Sequence, residues 1–130
     1  MDRPTFSLHD ISAFPIVRLD LEGRTGSYAE IWAREMDILL SDGRPFTLLV
    51  VGNRGEETQE DKKTKAAWFK VNRERLVAIC RGFVCVEPDA GKRVALAAQG
   101  LQISKAFGLP FEVTETAAEA EALARALARA

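Results

Sequence analysis

Two short apolar runs, PFTLLVVG at 45–52 and GFVCVEP at 82–88, constrain the fold most. Each has the length of a strand, is bounded by proline or glycine, and lacks the alternation of a strand with one wet face, so each predicts a strand buried on both faces. Such strands need helices packed on them, and the stretch ETQEDKKTKAAWFKVNRERLVAIC at 57–80 supplies a long helix between them. A strand, a helix and a second strand in this order are typical of an α/β protein.

Capping and stop residues extend this pattern along the chain. The predicted caps are Ser27, Thr58 (with Asp61 in capping-box spacing), Asp89 and Thr116, and the predicted helix stops are Gly43 and Gly108. Helices are predicted at 27–43, 89–107 and from 116 onward, and strands at 6–9, 16–22 and 110–115. In the third helix, Gly100 shares a face with Leu96 and Phe107 and predicts close backbone packing. The order ββ-α-β-α-β-α-β-α predicts a single α/β domain over 1–130, with a mixed, mostly parallel sheet of about five strands joined by helical crossovers.

Composition excludes several functions. A chain of 130 residues with 47% hydrophobic and 28% charged residues has the size of one soluble domain and no segment of ~20 apolar residues to insert into a membrane. The N-terminus lacks a secretory signal, which predicts a cytoplasmic protein. A net charge of -1 argues against nucleic acid. With one histidine, and with Cys80 and Cys85 outside a CxxC spacing, we expect no metal and no cofactor, and two buried thiols.

The stretch FSLHDISAFPIVRLDLEGRTGSYAEIWAREMDILL at 6–40, followed by the β-α-β-α-β-α order, resembles the SpoIIAA-like proteins, relatives of the STAS (sulfate transporter and anti-sigma factor antagonist) domain. The resemblance implies a regulatory module that binds a protein partner. It also implies a phosphorylated serine or threonine in the loop before the second long helix. The family's aspartate-serine-glycine motif is absent from this chain, where the nearest hydroxyls belong to Thr58 and Thr64.

The same loop is a candidate binding site on its own residues. Gly52 and Gly55 follow a strand, and Asn53, Arg54 and Thr58 lie ahead of a helix N-terminus, which can bind anions. The spacing differs from that of a phosphate loop, and neighbouring glutamates would repel a phosphate. A plain capped connection is the alternative.

Three polar residues fall on predicted core faces. Glu35 lies near the middle of the apolar face of the first helix, and Lys65 and Asn72 lie on that of the second. Glu35 is either a catalytic acid or base with a raised pKa, or a glutamate that meets a lysine or a backbone N–H. The three residues together predict either a polar pocket or a buried structural network.

The second helix also carries apolar residues that do not fit one face. Trp68 at the edge of the core stripe and Val71 outside it predict an exposed interface, and hence a homodimer. Because the residue sets of common catalytic classes are missing, the sequence favours a non-catalytic binding or regulatory module with an unknown protein partner. The alternative is a small-molecule or lipid-binding protein, or a minor enzyme, with a pocket around Glu35.

Overall fold

The strands occur in the sheet in the same order as along the chain. A computed structural model describes residues 6–20, 28–52 and 58–129. Its strands are β1 (His9–Asp10), β2 (Ile16–Asp20), β3 (Phe46–Gly52), β4 (Cys80–Val86) and β5 (Phe111–Thr114), and its helices are α1 (Ala29–Asp42), α2 (Gln59–Ile79), α3 (Ala90–Phe107) and α4 (Ala117–Arg129). The described residues therefore form one α/β domain with a five-stranded sheet of order β1-β2-β3-β4-β5.

The sheet is mixed. β1 pairs antiparallel with β2, whereas β2, β3, β4 and β5 pair with one another in parallel. The prediction of a mostly parallel sheet is corrected accordingly, because the chain enters through an antiparallel strand. β1 also begins later than the strand predicted at 6–9, because the N–H groups of Ser7 and Leu8 bond to the Glu35 carboxylate instead of to a neighbouring strand.

The helices divide between the two faces of the sheet. Phe46 and Leu48 of β3 pack into the core beneath α1 and α2, and the C-terminal end of α3 packs against the same core. Leu49 and Val51 contact α4 on the other face of the sheet. Ligands in open α/β sheets usually bind in the crevice where the strand order reverses. The order of the described strands never reverses, so these strands create no such crevice.

Several helix ends are as the sequence predicts. Gly43 (φ 78°) and Gly108 (φ 70°) end α1 and α3 in the left-handed conformation that favours glycine. At the start of α3, the Asp89 side chain accepts a hydrogen bond from the N–H of Lys92 at 2.8 Å. The predicted cap of the first helix, Ser27, lies outside the described residues.

Gly100 brings α3 close to β5. It is the buried residue of α3, and a Cβ at this position would clash with the ring of Phe111. The prediction of close backbone packing is confirmed. The rest of α3 is half-buried or exposed, so this helix presents much of its surface to solvent.

Candidate functional site

Glu35 is buried and fully engaged. Its side chain is 1% exposed, and its carboxylate accepts hydrogen bonds from three consecutive backbone N–H groups, those of Ser7 (2.8 Å), Leu8 (3.1 Å) and His9 (2.8 Å). The Ser7 hydroxyl donates to it as well, at 3.1 Å. The carboxylate of α1 thus holds the chain segment that leads into β1.

His9 completes this cluster. Its imidazole is buried, and Nδ1 lies 2.8 Å from Oε1 of Glu35, with the Phe6 ring edge-on at 6.4 Å between centroids. Nε2 is buried and has no hydrogen-bond partner among the described residues. We refer to Glu35, His9 and the N–H groups of residues 7–9 as the Glu35 clasp.

The protonation states in the clasp follow from burial and hydrogen bonding. Burial lowers the pKa of His9, and this outweighs the hydrogen bond and the charge of Glu35, which raise it. Burial opposes the charged form of Glu35, but the N–H groups of Ser7, His9 and Leu8 and the His9 ring together hold the pKa of Glu35 below its usual value. At neutral pH the clasp therefore holds an ionised Glu35 and a neutral His9 that donates from Nδ1.

The catalytic interpretation of Glu35 predicted a raised pKa, and that prediction is wrong because the N–H groups and His9 lower the pKa. The alternative, in which the glutamate meets backbone N–H groups, is confirmed. A carboxylate with three N–H donors and an imidazole partner is already stabilised as the anion and is a poor proton acceptor. The clasp is a structural connection between α1 and the entry to β1.

A second buried carboxylate ties α2 to α1. Asp61 is 1% exposed, and its Oδ1 accepts from the backbone N–H groups of Tyr28 (3.3 Å) and Ala29 (3.2 Å), at the start of α1. The first N–H groups of a helix have no partner within that helix. Asp61 supplies one from a neighbouring helix, while its own N–H donates to Thr58 Oγ1 at 3.0 Å.

Lys65 and Asn72 are engaged separately from Glu35. Lys65 Nζ donates to the Tyr28 hydroxyl at 3.1 Å and lies 5.7 Å from the centre of the Trp32 ring. Asn72 donates to the carbonyl of Trp68 within its own helix and accepts from Arg75. Within the described part of the chain, the hydrogen bonds of Glu35 go to residues 7–9, so Lys65 and Asn72 are not joined to it in one hydrogen-bonded network.

Trp68 is buried, contrary to its predicted exposure at an interface. It is 7% exposed, its ring lies edge-on to Trp32 at 5.1 Å between centroids, and its Nε1 donates to Asp37 at 2.9 Å. The indole thus fills the contact between α1 and α2. Val71, by contrast, is 81% exposed, so only this half of the predicted interface is available at the surface.

The loop before α2 is described only at its end. Asn53 and Arg54 lie outside the described residues. Thr58 is exposed, and its hydroxyl caps α2 through the Asp61 N–H. The capping role predicted for Thr58 is confirmed, and its role in binding stays a prediction.

An open cleft of about 380 Å³ lies over β1 and β2 and adjoins the clasp at Leu8. It is lined by Leu8, Asp10, Ser12, Ala13, Arg18, Asp20 and Val51. Arg18 in this cleft is paired with Glu121 of α4 at 2.9 Å. Glu35 is not among the lining residues, so the predicted pocket around Glu35 does not coincide with this cleft.

Both cysteines lie within the described ranges 6–20, 28–52 and 58–129. Cys80 and Cys85 are free and buried, as predicted, and burial raises their pKa values to about 11 and about 12. The described ranges contain no group of three or more histidine, cysteine or acidic side chains placed to hold a metal ion. No helix in the same ranges is long and apolar enough to cross a membrane.

Comparisons with protein-family models, with curated proteins and with solved structures gave no match.

Two residues of these buried clusters, His9 and Asp61, were not predicted to be buried. The sequence assigns His9 no role and places Asp61 only in capping-box spacing with Thr58. Both are buried because of partners about 26 to 33 positions away along the chain. The local sequence around an acidic residue in the first turn of a helix does not identify a partner so far away along the chain.

Proposed function

We propose that this protein is a non-catalytic, STAS-like binding module that acts through contacts with a protein partner. The observation that carries this proposal is Val71, which is 81% exposed in the middle of a 21-residue helix. At about 100° per residue, Ala67, Val71, Glu74 and Ala78 share one side of α2, and all four are exposed. We call these four residues the outer α2 face.

The outer α2 face offers a small apolar contact with charged residues around it. An exposed valine lies between two alanines, Glu74 adds a charge within the face, and Lys70 and Arg75 lie on either side of it. Helix α2 is held from behind by Trp68 and Asp61, so the face is presented on a rigid support. A rigid surface costs little conformational entropy on binding.

The polar residues that could have supported catalysis are used elsewhere. Glu35 binds backbone N–H groups, Lys65 binds Tyr28, and Asn72 bonds within α2. The alternative of a small-molecule or lipid site around Glu35 has no supporting observation among the described residues. Binding through a surface is therefore the function that we favour.

A regulatory role for Thr58 is part of the proposal, because the STAS resemblance places a phosphorylated hydroxyl in this loop. Thr58 is exposed at the start of α2, where an acidic group is favourable to the helix. We expect Thr58→Glu to weaken partner binding while the thermal midpoint stays nearly unchanged. Loss of stability with unchanged binding would show that Thr58 serves only as a cap.

The test of the surface is affinity capture from the native cell with wild type, Val71→Asp and the control Ala95→Asp. Ala95 is exposed on α3, so the control adds the same charge on another helix. The proposal predicts a specific protein that wild type and Ala95→Asp retain and Val71→Asp loses. Equal recovery by all three would contradict it.

A second copy of this chain is one candidate partner for the outer α2 face. The predicted homodimer now rests on Val71 alone, because Trp68 is buried. Light scattering at micromolar concentration decides this point. A mass of twice 14.3 kDa that Val71→Asp returns to 14.3 kDa would identify the partner as the second copy.

A further inference from the structure

The outer edge of β5 presents unpaired backbone groups. β5 is the last strand of the sheet, and β4 is its partner among the described strands. The carbonyls of Pro110 and Thr114 accept from the N–H groups of Phe83 and Glu87, at 2.9 and 2.8 Å, and so point toward β4. Because alternate residues of a parallel strand bond to the same side, the N–H and C=O groups of Phe111 and Val113 point away from the sheet.

Two exposed apolar side chains lie on the outer flank of α3, the helix that packs on β5. Gly100 faces β5, and the carbonyl of Ala106 accepts two hydrogen bonds from Arg73 of α2, which places α2 along one flank of α3. Val94 and Leu101 lie more than about 100° around the helix from Ala106, on the flank away from α2. They are 73% and 58% exposed and lie two turns apart on the same side of the helix, so they leave apolar surface accessible there.

The face of β5 turned away from α3 carries a negative charge. Glu112 pairs in register with Val84, which packs on the α4 side of the sheet. Glu112 is exposed and has no ion-pair partner among the described residues. A strand added to this edge would therefore meet apolar groups on one face and an anion on the other.

We infer that the β5 edge binds an extended segment of another protein, with apolar side chains toward Val94 and Leu101 and a basic side chain opposite Glu112. The unpaired groups of Phe111 and Val113 require an extended backbone, which main-chain hydrogen bonds recognise. A second copy fits poorly, because antiparallel pairing through Phe111 and Val113 would set Glu112 opposite its own equivalent. Like charges directly opposite across a strand pair are destabilising. This surface is separate from the outer α2 face, and its test is independent of that proposal.

The probe is an acetylated, amidated heptapeptide of alternating valine and lysine, compared with one in which glutamate replaces lysine. Fluorescence anisotropy at physiological salt measures the binding of each peptide to the intact chain. We expect wild type to prefer the lysine peptide by about five-fold, the size of one favourable cross-strand pair. The charge-reversing variant Glu112→Lys should reverse this preference, and an unchanged preference would overturn the inference.

Two further variants separate the backbone and the apolar contributions. Val113→Pro removes an N–H that points to solvent, a position where an edge strand tolerates proline, and it should abolish binding of both peptides. The double variant Val94→Asn with Leu101→Asn replaces exposed apolar side chains of α3 without adding charge, and it should weaken the lysine peptide at least ten-fold. Retained binding in a folded variant of either kind would refute the site. If the wild-type chain is a dimer and Val113→Pro makes it a monomer, the edge binds a second copy, and this result would refute the choice of occupant.

Discussion

Removing the Glu35 carboxylate should destabilise the protein, and the substitution Glu35→Leu tests this directly. Leucine could replace a buried glutamate that has no partners without loss of stability. This glutamate, however, accepts hydrogen bonds from three backbone N–H groups and from His9 Nδ1. Leu8 and His9 are buried, so their N–H groups lose their acceptor without gaining water. The structure therefore predicts that Glu35→Leu lowers the stability of the protein, whereas an unpaired glutamate would predict no loss.

The magnitude follows from the groups left without partners. Two buried N–H groups and one imidazole N–H lose their acceptor, and each such loss costs about 1–3 kcal/mol. The segment before β1 can limit the cost by detaching and exposing these groups to water, which gives up the burial of Leu8. We therefore expect a loss of about 2–4 kcal/mol, out of the roughly 5–15 kcal/mol typical of a domain.

The assay is urea unfolding followed by the fluorescence of the buried Trp32 and Trp68. Glu35→Gln keeps one acceptor oxygen and should lose less than Glu35→Leu, about 1–2 kcal/mol. The control Glu30→Leu changes an exposed glutamate of the same helix and should cost below about 1 kcal/mol. A Glu35→Leu protein within about 0.5 kcal/mol of wild type would refute the structural role of the clasp.

Further predictions concern acid, packing and thiol chemistry. Because the folded-state pKa values of His9 and Glu35 are both lowered, unfolding takes up protons. Stability should therefore fall as the pH drops below about 6.5 for His9, and fall further below about 4.5 for Glu35. Urea titrations at pH 7.5, 5.5 and 4 would measure both losses. Gly100→Ala should lower the free energy of unfolding by about 1–2 kcal/mol in the same assay, because overpacking exceeds the gain in helix propensity. Cys80 and Cys85 should resist a chromogenic disulfide reagent at pH 8 and react only after unfolding, because burial keeps both thiols protonated.

Most of the fold could be predicted from local patterns. β3 and β4 are apolar runs with glycine or proline at their ends, and α2 begins at the predicted cap Thr58. Gly43 and Gly108 end helices where their position after an apolar period indicates a stop. In each case the signal lies within a few residues of the feature, so one stretch of sequence is enough.

The candidate site could be predicted only in part, because its residues depend on distant partners. An apolar face on a helical wheel shows that Glu35 is buried, but not that residues 7–9 supply its donors. The wheel likewise places Trp68 at the edge of its stripe and cannot show that α1 covers that edge with Trp32 and Asp37. Packing between helices, rather than propensity within one, decided both outcomes.

The most direct test of the proposed function is the affinity of the captured partner for wild type and Val71→Asp, measured by isothermal titration calorimetry with Ala95→Asp as control. Val71 is exposed, so its substitution should leave the thermal midpoint nearly unchanged. We predict a Kd at least about ten-fold weaker for Val71→Asp, since a charge buried at an apolar contact costs more than about 1.4 kcal/mol, and an unchanged Kd for Ala95→Asp. Equal Kd values for wild type and Val71→Asp would contradict binding through the outer α2 face.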